Sequence, residues 1–189
     1  MTGITTFHNN LPAKKELFLQ EFNPAVCLRK FRQADTPALA LQSEAPTLAQ
    51  IRKEHSEDFL MAYIAVWIVN LNDFVNFSRK MTPEQIEETA IFIYQDYYYL
   101  NLADINLIFR KVKKGEFGQL FAEIDGVKIL SWFAKYASER ASAAADIQIN
   151  RAANFKETGV RISNRSSDSI KNLQSIGFYL TEQALRNQK

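Results

Sequence analysis

The chain has 189 residues, 47% of them hydrophobic and 23% charged, with a formal net charge of +2; these are ordinary globular values, enough for one continuous core without covalent staples. Six glycines and five prolines are few for this length, which argues against an all-β fold with its many short strands and turns. Cys27 is the only cysteine, so no intrachain disulfide can form, no second thiol or histidine cluster completes a metal site, and a reducing compartment is expected.

The fold class these numbers imply is all-α: a compact multi-helix bundle with a long central helix and a less ordered C-terminal segment. Three stretches are expected: a leader with short helices and a connector over 1–46, a helical core over 47–153, and a polar loop with a C-terminal helix or tail over 154–189. In chain order, the first ten residues are polar and show neither a signal nor a transit peptide. Residues 12–22 can form a short helix with Leu17, Phe18 and Phe22 on one side, and Pro24 ends it or starts another. Residues 32–46 carry two prolines and the alternating Ala38-Leu39-Ala40-Leu41, the one place where a short extended segment fits.

Thr47 opens a run to Ser78 without Gly or Pro, read as one central helix that is apolar almost all round, with Asn70 as a hydrogen-bonded core amide. Its longest apolar stretch, 59–71, is shorter than the roughly 20 residues a membrane helix needs. Thr82-Pro83-Glu84-Gln85 is a capping-box start for a helix to about Tyr99, whose buried face carries Ile86, Ala90, Ile93 and Tyr97. Asn101 caps the next, 102–114, where Leu102, Ile105, Ile108, Phe109 and Val112 share one arc and Arg110, Lys111, Lys113 and Lys114 the opposite one. Gly115 and Gly118 turn the chain, 119–124 is too short to assign, and a helix is expected from Val127 to about Ala153. Beyond it, 154–167 reads as loop or tail and 168–186 has helical spacing of Ile170, Leu173, Ile176 and Leu180.

Chemistry is defined largely by what is missing. No phosphate-cradling glycine loop with its lysine is present, and the two histidines, His8 and His55, stand in no zinc-binding spacing. His55 within Glu54-His55-Ser56-Glu57-Asp58 lacks a nucleophile to serve and reads as a helix-surface or core histidine. Glu87, Glu88, Asp96 and Asp104 read as solvated carboxylates at capped helix starts and polar faces. No catalytic residue, metal or cofactor is expected, and the chain is read as non-enzymatic.

What remains is charge placement: 51–104 has nine acidic residues against four basic, while 105–140 has seven basic against four acidic. Arg110, Lys111, Lys113 and Lys114 at a helix end either complement the helix dipole or contact phosphates of a nucleic acid, with Tyr97, Tyr98 and Tyr99 as a neighbouring stacking surface. The pattern Tyr98-Tyr99-Leu100-Asn101-Leu102-Ala103-Asp104-Ile105, then Lys114-Gly115-Glu116-Phe117-Gly118-Gln119-Leu120-Phe121 and Ile129-Leu130-Ser131-Trp132-Phe133, resembles an uncharacterised helical protein family of phages and mobile elements of Bacteroides-type bacteria, over about 81–140. The resemblance brings no catalytic residues and implies a setting in the replication of such an element, as a helicase-loader-like or DNA-binding adaptor. The leading expectation is therefore a cytoplasmic adaptor that touches nucleic acid through the basic turn, with a protein partner or homo-oligomer and no membrane. The alternative is a structural, cargo or assembly protein of a phage, virion-associated and acting through protein contacts alone.

Overall fold

The computed structural model describes residues 11–75, 80–118 and 124–154. The protein is all-α, a compact helical bundle. Its elements are α1 (Leu11–Phe22), α2 (Pro24–Lys30), α3 (Pro37–Leu41), α4 (Leu48–Glu54), α5 (Glu57–Phe74), α6 (Pro83–Tyr97) and α7 (Leu102–Lys113), followed by α8 over 126–154. Contacts divide the chain into two units, Met1–Ala144 and Ala145–Lys189. In the second, residues 145–154 are described and are helical. The C-terminal helix or tail expected at 168–186, and the loop at 155–167, lie outside the described residues.

Starts are set by side chains that satisfy the otherwise orphaned first amides of a helix. Asn23, Thr36, Thr47, Ser56, Thr82 and Asn101 each accept from an amide in the first turn, and proline follows directly in α2, α3 and α6. Thr36-Pro37 corrects one expectation: the alternating segment 38–41 is helical, because the cap and the proline at the first helical position override the alternation.

A second correction concerns the supposed continuous helix 47–78. It is two helices, broken at His55-Ser56. Ser56 is extended (φ 168°, ψ 170°) and its hydroxyl accepts from the Phe59 amide, while Glu57 and Asp58 follow in the first turn. The break lets the His55 ring pack 4.9 Å from Phe18 and 4.7 Å from Phe59.

The central element is α7. Every residue from Leu102 to Phe109 is buried, so its first two turns are enclosed on all sides, not only along the apolar arc. Helices α2, α3 and α5 pack against it, and α8 closes over it through Phe133, whose ring lies 6.1 Å from that of Phe109. Its N-terminus is stitched to the start of α4: Thr47 and Asn101 form a bridge, the Leu48 amide donates to the Leu100 carbonyl at 2.9 Å, and the Leu102 amide donates to Pro46 at 3.0 Å. Asn101 Nδ2 also donates to the Ala40 carbonyl at 2.9 Å. Cys27, Phe31, Ala34 and Ala40 belong to the same core as α5 and α7, so the stretch preceding Thr47 is part of the bundle.

Asp104 is the third correction. It is fully buried rather than solvated. Its carboxylate accepts from the Tyr136 hydroxyl at 2.6 Å, from Arg140 Nε at 3.0 Å and from the Asn101 amide at 3.0 Å. Burial next to this carboxylate pushes the Tyr136 phenol above its ordinary value, which keeps it protonated as the donor.

Candidate nucleic-acid interface

The four cations at the end of α7 leave the helix in different directions. Arg110 reaches back to the segment after α2, donating from Nη1 to the Arg32 carbonyl at 3.0 Å and from Nη2 to Ala34 at 3.2 Å. Lys111 turns toward α8 and pairs with Glu139 at 2.6 Å. Lys113 donates to Asn70 Oδ1 at 2.6 Å and lies 4.9 Å above the Phe74 ring; burial holds its pKa below the ordinary lysine value. Asn70 is thus hydrogen-bonded, by a lysine, but half-buried rather than in the core as expected. Lys114 is the exposed one, with a loose 3.8 Å pairing to Glu116 as its one ion pair among the described residues.

Two of the four therefore face a common surface and two do not. Arg110 and Lys114 line an open depression of about 890 Å³ together with Arg29, Lys30 and Arg32. The geometry follows from the packing of α2 on α7: the C-terminal ends of both helices meet here, and Gly115, at φ 76°, turns the chain away after Lys114. Lys30 is tied to Glu21 at 2.6 Å and stands 4.1 Å above Phe22. Arg29 and Arg32 are exposed and make no ion pair among the described residues.

Charge counting decides what this surface attracts. Five cations line it against one carboxylate, Asp35. The two helix C-termini contribute about half a negative charge each, and Glu21 and Glu116 pair with Lys30 and Lys114 from outside the lining, so the cations without an ion pair among the described residues are Arg29, Arg32 and Arg110. Arg110 is held by two carbonyls, whereas Arg29, Arg32 and Lys114 are exposed at its rim; an anchored guanidinium with three exposed cationic neighbours suits a chain of phosphates.

Sequence reasoning missed Arg29, Lys30 and Arg32. The signal was present as Arg29-Lys30-Phe31-Arg32 at the end of a short proline-started helix, but their approach to Arg110 across 78 residues of chain is a tertiary fact. The tyrosine cluster is elsewhere: Tyr97 packs 5.4 Å from Phe133, Arg140 lies 5.5 Å over Tyr99, and none of the three lines the depression. Glu87, Glu88 and Asp96 are exposed, as expected of solvated carboxylates.

Other chemistry is thinly supplied. Among the described residues no group of histidine, cysteine and carboxylate side chains could hold a metal ion, and no helix is long and apolar enough to cross a membrane. Cys27 is buried, its thiol pushed up to about 12 by desolvation, and donates to the Phe22 carbonyl that Tyr63 also binds. The fold and this surface define a helical protein with a basic depression. No family model, no curated protein and no solved structure matches the chain.

Proposed function

We propose that the protein is a non-enzymatic helical adaptor that binds nucleic acid through the basic depression, with Arg29, Arg32 and Lys114 contacting phosphates around an anchored Arg110. The observation that carries this reading is the convergence of five cations on one concave surface with a single carboxylate. The residues expected from the α7 terminus alone are divided by it: Arg110 and Lys114 belong to the contact, while Lys111 and Lys113 serve the packing of α8 and α5. Contacts of this kind are sequence-independent, so the protein positions a strand and leaves base reading to others. A replication accessory of a phage or mobile element is the setting we propose, and such an adaptor needs a protein contact elsewhere on its surface.

The test is fluorescence anisotropy of labelled 20-nucleotide single strands and duplexes at low salt. Micromolar binding of either that weakens steeply as salt rises supports the proposal. No binding of either at low salt would remove it and favour the assembly role through protein contacts alone.

A further inference from the structure

The outward face of α5 is apolar and lacks a partner among the described residues. Val66 and Val69 are 42% and 43% exposed, although a helix that is apolar all round is normally enclosed. Beside them, α5 and α6 form a groove of about 700 Å³. Met61, Ala65 and Val69 line it from α5 at the i, i+4 and i+8 spacing of one helix face, with Ala62 beside them, and Ile86 and Ile91 line it from α6. The small side chains of Ala62 and Ala65 leave room for a third helix to approach closely.

The rim is acidic. Glu57, Asp58 and Glu87 line the groove and no cation does. Glu57 is paired with Arg52 at 2.7 Å, whereas Asp58 and Glu87 make no ion pair among the described residues. The position of Glu57 and Asp58 in the first turn of α5 is favourable for the helix by itself. Glu87 lies beyond the first turn of α6, and its charge has no such use.

We infer that this groove is the docking site for an amphipathic helix of a partner protein, one that carries an apolar stripe flanked by lysine or arginine. Charge complementarity selects that occupant: an apolar stripe fills the floor, and flanking cations meet Asp58 and Glu87 on opposite walls. The inference rests on the adaptor reading for its biological sense, but its test contains no nucleic acid, so the two fail separately.

The probe is an 18-residue peptide with leucines at helical spacing and lysines flanking the stripe, compared with the same peptide carrying glutamate for lysine. Anisotropy of the labelled peptides is measured with wild type, Val69→Lys and the double variant Asp58→Lys/Glu87→Lys, all at exposed positions. Wild type is expected to bind the lysine peptide at least tenfold more tightly than the glutamate peptide. Val69→Lys is expected to lose this binding, and the double variant to reverse the preference. Equal affinity for both peptides, or no binding of either at millimolar concentration, overturns the inference. So does a concentration-dependent dimer of the wild type in sedimentation that Val69→Lys dissolves, since it assigns the groove to a second copy.

Discussion

Removing the Asp104 carboxylate should be the most damaging single change in the bundle that leaves packing volume nearly intact. The group is fully buried and accepts from Tyr136, Arg140 and the Asn101 amide. In Asp104→Ala, the Arg140 guanidinium, whose side chain is only 16% exposed, loses its charge partner. The Tyr136 hydroxyl and the Asn101 amide are stranded at the same time. Breaking a buried pair by deleting one member costs about 3–5 kcal/mol. Tyr136→Phe removes one neutral donor and should cost about 1–3 kcal/mol. Replacing the whole network in Asp104→Leu/Tyr136→Phe/Arg140→Met strands only the Asn101 amide, a cap loss of about 0.5–2 kcal/mol. Urea denaturation followed by circular dichroism gives all three values. The single alanine variant must be less stable than the triple variant, and an Asp104→Ala loss below about 1 kcal/mol would refute the reasoning.

A Cβ added at Gly126 would meet Thr89 Oγ1 at 2.5 Å, and that hydroxyl donates to the Gln85 carbonyl at 2.6 Å. Gly126→Ala should therefore cost about 1–3 kcal/mol in thermal or urea unfolding, and Gly126→Ala/Thr89→Ala should recover part of it; an additive double variant contradicts the contact. Ser56→Ala, by deleting the acceptor for the Phe59 amide, should destabilise by about 0.5–2 kcal/mol, whereas a continuous helix through this point would be stabilised by alanine. His55 has its pKa lowered from 6.5, first by desolvation and then by Lys14. The unfolded chain thus binds the proton more tightly, and the stabilising contribution is complete above about pH 6.5 and lost as the pH falls through the lower folded value. His55→Gln should show a smaller fall in melting temperature between pH 7 and 5 than wild type, and an equal fall would show that the ring is freely solvated.

Helix starts were the most legible part of this sequence, because each depends on a few adjacent residues: Thr82-Pro83 with Gln85 reads as a capping box and Asn101 as a cap, and both form complete capping boxes, the second through Asp104. Residues 55–57 were misread for an instructive reason. Apolar spacing continues through His55 to Phe59, and the serine-acid signature inside it was outweighed by the absence of Gly or Pro. Asp104 reads in the sequence as a solvated carboxylate beside a capped helix start and is illegible as a buried ion, since Tyr136 and Arg140 reach it from α8, more than 30 residues on. The same limit applied to the basic surface. A helical wheel places Arg110, Lys111, Lys113 and Lys114 on one arc, but that arc spans enough angle for three neighbours to claim separate members, and the arginines of α2 enter only when the two helices meet.

The claim that the basic depression, rather than the α7 terminus as a whole, holds nucleic acid is tested most directly by the salt dependence of binding in two variants. One is Arg29→Ala/Arg32→Ala/Lys114→Ala, and the other is Lys111→Gln/Lys113→Gln. If each lost phosphate contact reduces the slope of log affinity against log salt by about 0.7–0.9, the first variant should lose about 2–2.7 from the wild-type slope. The second should leave the slope unchanged, with a loss of thermal stability instead. An equal loss of slope in both variants, or an unchanged slope in the first, would contradict the account.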